Sequence, residues 1–121
     1  MKRNMDLVRE ILLAIEECDH GTFNGALEVK GYSAEEIGYH VYLMDEAGLL
    51  DAMDSTCDQS LSPEAIPNNL TWKGHEFLEN SRDAGIWEQS KTIVAKAGGA
   101  SLSIWSEVLK QTVLQNLGLS S

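Results

Sequence analysis

The chain has 121 residues, enough for one compact domain with a modest core that needs neither a disulfide nor a metal to hold it. Hydrophobic residues at 43% and charged residues at 23% are ordinary globular values and exclude a wholly disordered chain. Nine cations against 19 acids leave a net charge of −10, which favours basic partners and disfavours nonspecific association with nucleic acid or anionic membrane.

Leu7, Val8, Ile11, Leu12 and Ile15 recur at helical spacing behind Asn4, a cap residue, and predict a first helix over residues 5–17. Lys2 and Arg3 precede it, but Asp6, Arg9, Glu10, Glu16 and Glu17 interrupt the apolar residues. No signal-peptide core or membrane span is therefore expected, and a cytoplasmic protein is the simplest reading. Cys18 and Cys57 lack CxxC spacing and suit two reduced thiols, with a single bridge between them left open.

Gly21, Asn24 and Gly25 break any helix after residue 19, and residues 26–30 alternate like a short strand. Ser33 followed by Glu36 forms a capping box, so a second helix is expected over residues 34–47, with Ile37, Val41 and Met44 on one stripe. Gly48 suits a left-handed helix end. Residues 49–53 read as a strand, residues 54–69 with Pro63 and Pro67 as a long connection, and residues 70–72 as a second strand.

Phe77 and Leu78 lie on a helical pattern over residues 73–82, with Gly85 near its exit. Ile86, Trp87, Ile93 and Val94 predict a further helix that Gly98 and Gly99 end, and Ser101 caps the last one. That last helix is broadly apolar, and Leu102, Trp105, Val108, Leu109 and Val113 make a candidate homodimer face. Ile11, Leu12, Ile37, Val41, Leu49, Leu70, Trp72 and Phe77 are expected in the core. The whole reads as a single domain over residues 1–121, with a core at 4–82 and a helical extension at 83–121.

Helix, small strand, helix ending in EAGLL, strand, loop and LTWKGHEFL is an order that resembles a winged helix-turn-helix. The resemblance implies a mainly α fold of the α+β class: a winged-helix-like domain with a small antiparallel wing and two C-terminal helices. The departure is in residues 19–32, which are rich in glycine where the first member of the helix pair should stand. More closely, MKRNMDLVREILLAIE, GYSAEEIGYHVYLMDEAGLL and LTWKGHEFLENSRDAGIW resemble an uncharacterised family of small proteins common in bacterial phages and prophages, known only as a domain of unknown function. That likeness implies no activity.

The charge pattern conflicts with the commonest winged-helix function. Between Lys30 and Lys73 there is no cation, and there are eight acids: Glu35, Glu36, Asp45, Glu46, Asp51, Asp54, Asp58 and Glu64. Affinity for DNA comes largely from Lys and Arg on phosphates, so an acidic reading segment repels a duplex. The outward face of the second helix offers Glu35, Tyr39, Tyr42 and Asp45, a candidate partner-binding surface with no guanidinium to read guanine.

Enzyme signatures are missing: there is no GxSxG, no phosphate loop, no HExxH and no paired Cys motif, so no catalysis and no cofactor is expected. Cys18-Asp19-His20 with His40, Cys57 and His75 lacks paired ligand spacing, and Asp51, Asp54 and Asp58 lack the pattern of a calcium loop. His40 between Tyr39 and Tyr42 fits either a binding patch or a residue at the core margin. The expected function is a non-enzymatic acidic interaction module for a basic protein surface. The alternative is a DNA-binding regulator whose contacts come from Lys2, Arg3, Arg9, Lys30, Lys73 and Arg82, and a third reading is a decoy for a nucleic-acid-binding protein.

Overall fold

Asn4 starts the first helix, α1 (Met5–Glu16), by accepting the Leu7 N–H on Oδ1 at 3.2 Å, which satisfies one of the donors a helix leaves free. In this computed structural model, which describes residues 1–119, α1 buries Leu7, Val8, Ile11, Leu12 and Ile15 along one stripe. The second helix, α2 (Ala34–Glu46), begins with the capping box read from Ser33 and Glu36, whose two reciprocal bonds measure 3.1 and 3.0 Å. It buries Ile37, His40, Val41 and Met44.

Two antiparallel strands follow, β1 (Leu50–Asp54) and β2 (Ala65–Leu70), then three helices, α3 (Trp72–Ser81), α4 (Ala84–Ala95) and α5 (Leu102–Asn116). Among the described residues the protein is therefore mainly helical, with five helices and one two-stranded sheet. It divides into two units, one formed by Met1–Glu76 and one beginning at Phe77, so that the boundary falls inside α3.

In the first unit α1, α2 and the hairpin bury a common core of Leu7, Ile11, Leu12, Val41, Met44, Leu49 and Leu50. Each such aliphatic side chain contributes about 1.5–3 kcal/mol by leaving water. In the second unit α4 packs on α5, where Trp87 stacks on Trp105 with ring centroids 4.9 Å apart and planes 24° apart. Beside that stack the Ser90 hydroxyl donates to Thr112 Oγ1 at 3.3 Å, and Thr112 in turn donates to the Val108 carbonyl at 2.8 Å, so both buried hydroxyls are satisfied.

Several elements differ from the sequence expectation. Residues 26–30 form no strand. Upstream of them the Phe23 N–H donates to the Asn68 carbonyl of β2 at 2.6 Å, a single bond that does not grow into a third strand. The second strand is Ala65–Leu70 rather than 70–72. The Ala52 N–H goes to Asp45 Oδ1 instead of crossing to Pro67, so this is a ladder pair at which no N–H crosses and a proline costs no bond.

Trp72 was expected in the core and is instead 81% exposed, because Thr71 caps α3 and leaves Trp72 on its first turn. The other seven expected core residues, Ile11, Leu12, Ile37, Val41, Leu49, Leu70 and Phe77, are buried or at the edge of burial. Gly85 does not end a helix; it lies in the first turn of α4, where Asp83 accepts the Ile86 N–H at 2.9 Å. No helix occupies residues 19–32, so the helix pair of a helix-turn-helix is incomplete here.

Candidate partner-binding surface

The two runs EAGLL and LTWKG meet in space and form one joint. Gly48 ends α2 at φ +80°, a conformation that suits glycine, and its carbonyl accepts the Thr71 hydroxyl. The Thr71 N–H donates to the Leu49 carbonyl at 3.2 Å, and Thr71 Oγ1 accepts the Gly74 N–H at 3.1 Å, capping α3. A Cβ on Gly74 would run into the Leu49 carbonyl oxygen, so glycine is required there. Lys73 completes the joint by donating to the Ala47 carbonyl at the end of α2, 3.1 Å away. These residues build the fold, and Trp72 is the large apolar side chain of the second run left facing solvent.

The outward face of α2 is not open. The β1–β2 loop folds back along it: Ser62 donates to Glu35 Oε1 at 2.9 Å, and the Glu64 side chain sits where a Cβ on Gly38 would come within 3.1 Å. Further along, the Ala52 N–H donates to Asp45 Oδ1 at 3.1 Å. Of the four residues expected to present a partner surface, Glu35 and Asp45 are therefore engaged with the hairpin, and Tyr39 and Tyr42 are half-buried. Tyr39 meets the edge of the His40 ring at a centroid distance of 6.2 Å, and His40 itself is buried, bonded to Asn4 and Glu36.

The loop that covers α2 is itself well braced. Thr56 Oγ1 both accepts the Glu64 N–H at 2.9 Å and donates to the Glu64 carbonyl at 3.2 Å, and the Ser60 N–H closes a turn onto the Cys57 carbonyl at 3.0 Å. Thr56 also hydrogen-bonds Asp54, which holds the Asp54 carboxyl below the usual carboxylate range. The Ser60 hydroxyl and the Gln59 main chain lower the exposed Cys57 thiol from its ordinary value. Cys18 and Cys57 are both free thiols.

Glu35, Asp45, Glu46, Asp51, Asp54 and Asp58 are all exposed, and among the described residues none of the eight acids of this segment forms an ion pair. Several of the nine cations are engaged elsewhere: Lys73 on Ala47, Arg9 beside Glu10 at 3.5 Å, and Arg82 beside Glu79 at 2.8 Å. Of the five residues of the α5 face, Trp105 and Leu109 are buried within the chain, whereas Leu102, Val108 and Val113 are half-buried.

Residues 2–101 match the family model described as Hypothetical protein (DUF2513). The chain belongs to this family. It is also 35% identical over 121 residues to a protein of Haemophilus influenzae described as uncharacterized, with 97% of this chain and 99% of that relative aligned. No solved structure matches it. Among the described residues no helix of this DUF2513 chain is long and apolar enough to cross a membrane.

Sequence reasoning missed one surface of this DUF2513 member. On the outer face of the hairpin Met53 and Ile66 stand opposite each other across the strands, 58% and 46% exposed, next to the Asp51–Asn69 pair. The alternation Leu50, Asp51, Ala52, Met53 carried half of the signal, since it points Met53 away from the core. Ile66 was hidden because Pro63 and Pro67 made its stretch look like a connection.

Proposed function

We propose that this protein is a non-enzymatic, acidic, winged-helix-like interaction module, cytoplasmic and of phage or prophage setting, that binds a basic surface of another protein. The observation that carries the reading is the state of α2: the face that would enter a DNA groove bears Glu35 and Asp45, and the hairpin loop lies along it. An acidic surface without paired cations attracts Lys and Arg and repels phosphate. The order α2, hairpin, α3 supports the winged-helix likeness, and the resemblance of nearly the whole chain to an uncharacterised family common in phages and prophages supports the setting.

The test is affinity capture from a bacterial host lysate, using the wild-type chain and a variant carrying Asp51→Lys, Asp54→Lys and Asp58→Lys. A basic protein held by the wild type and lost by the folded variant is the expected result. Tight, salt-sensitive binding to duplex DNA by the wild type would instead establish a nucleic-acid-binding regulator.

Self-pairing through the C-terminal helices is a second reading with an observation of its own. Ile93, Ile104 and Leu117 are exposed, and Leu102, Val108 and Val113 are only half-buried, so α4 and α5 keep apolar flanks outside their mutual contact.

A further inference from the structure

Some main-chain groups at the edges of the hairpin are already engaged. A strand added to its edge would need free main-chain donors and acceptors. On the β1 side the Ala52 N–H is already bound to Asp45, and on the β2 side Pro67 has no donor while the Asn68 carbonyl accepts from Phe23. On the outer face the side chains form two cross-strand pairs, Asp51 with Asn69 and Met53 with Ile66. Asn69 donates to Asp51 Oδ2 at 3.2 Å, which fixes the carboxylate beside the apolar pair while leaving it exposed.

We propose that the outer face of the hairpin, centred on Met53 and Ile66 and edged by Asp51, docks a basic segment of a partner protein in which an aliphatic residue lies between cations. The aliphatic residue covers Met53 and Ile66, and a flanking cation meets Asp51, which shares their face of β1. Directly opposed apolar side chains on a sheet face form a single contact surface, and methionine adapts to differently shaped residues laid on it. Charge complementarity selects the occupant. A second copy of this chain would bring acid against acid, and a duplex or an anionic lipid surface would bring phosphate against Asp51. A cationic protein segment is the occupant that gains from both parts of the face.

This assignment rests on the acidic-module reading, and the test separates the two. The probe is a capped peptide of alternating Lys and Leu, titrated by calorimetry at low salt into the wild type and into Met53→Ser/Ile66→Ser, with a Lys–Ser peptide of equal charge as comparison. Both substitutions are at exposed positions, and circular dichroism verifies that the variant is folded. The wild type is expected to bind the Lys–Leu peptide about tenfold more tightly than the double variant does, and about tenfold more tightly than it binds Lys–Ser. Equal binding of Lys–Leu by wild type and variant overturns the hairpin face while leaving an acidic interaction module standing. Binding of neither cationic peptide overturns both.

Discussion

His40 accepts the main-chain N–H of Asn4 on Nε2 at 2.9 Å, tying the start of α1 to the middle of α2. Its Nδ1 lies 2.8 Å from the Glu36 carbonyl, which can only accept, so Nδ1 carries the proton and the ring is held in one tautomer. The His40→Leu variant leaves the Asn4 donor without its partner. A loss of about 1–3 kcal/mol in urea unfolding, with an unchanged denaturant slope, is expected. A change below about 0.5 kcal/mol would show that water replaces the ring without penalty.

Gly74→Ala tests the joint between α2 and α3. The added methyl meets the Leu49 carbonyl, which is main chain and cannot rotate aside, so the turn or the helix must shift. Overpacking of this kind costs about 1–3 kcal/mol or more. Gly21→Ala, where no atom lies within 4 Å of the added carbon, is expected to stay within about 0.5 kcal/mol of wild type. Equal thermal melts for the two variants would refute the steric account.

Cys57 is expected to react with iodoacetamide faster than Cys18 near neutral pH. Its thiol is exposed and lowered by the Ser60 hydroxyl and the Gln59 main chain, and Cys18 is half-buried with its thiol donating to the Thr22 carbonyl at 3.3 Å. A lowered thiol means thiolate appears at lower pH. Ser60→Ala should therefore move the pH midpoint of Cys57 alkylation upward, as followed by mass spectrometry. A midpoint indifferent to Ser60 would remove the cause named here.

Generic duplex DNA should bind weakly. Fluorescence anisotropy from roughly 50 to 200 mM salt is expected to show no submicromolar affinity, because the six exposed acids of the α2–hairpin segment, none in an ion pair among the described residues, repel phosphate. A tight complex that weakens steeply with salt would contradict this.

Light scattering decides the role of the α5 flank. A dimer that Val108→Glu converts to a folded monomer would assign Val108 to an interface. A wild-type monomer whose variant fails to fold would assign it to the interior of the second unit.

The sequence made the helices legible where a side chain repeats the helical period or closes a cap: Asn4, Ser33 with Glu36, and Ser101 all mark helix starts found in the structure. It misled at Trp72 and Pro67 for a common reason. An aromatic residue after Leu70 looks like strand core, and a proline looks like a break, unless one knows that Thr71 is occupied by Gly48 and Gly74 and that Ala52 bonds to Asp45. Gly48 lies 23 positions before Thr71, and Pro67 meets Ala52 only across the ladder, so no local pattern encodes either partner. The same holds for the candidate surface. Glu35, Tyr39, Tyr42 and Asp45 do share the side of α2 turned from its core stripe, but the fold-back of residues 55–64 over that side depends on Ser62 and Glu64, which local periodicity cannot place.

The joint of Gly48, Thr71, Lys73 and Gly74 bears on how kinship among such chains should be interpreted. Its residues are fixed by main-chain geometry, so a relative can retain all four while every charge on its hairpin changes sign. Likeness at these positions therefore certifies a shared scaffold and is silent about cargo. Under the proposed docking role, sorting relatives by the residues opposite one another at 53 and 66, and by the sign of the charge at 51, groups them by partner.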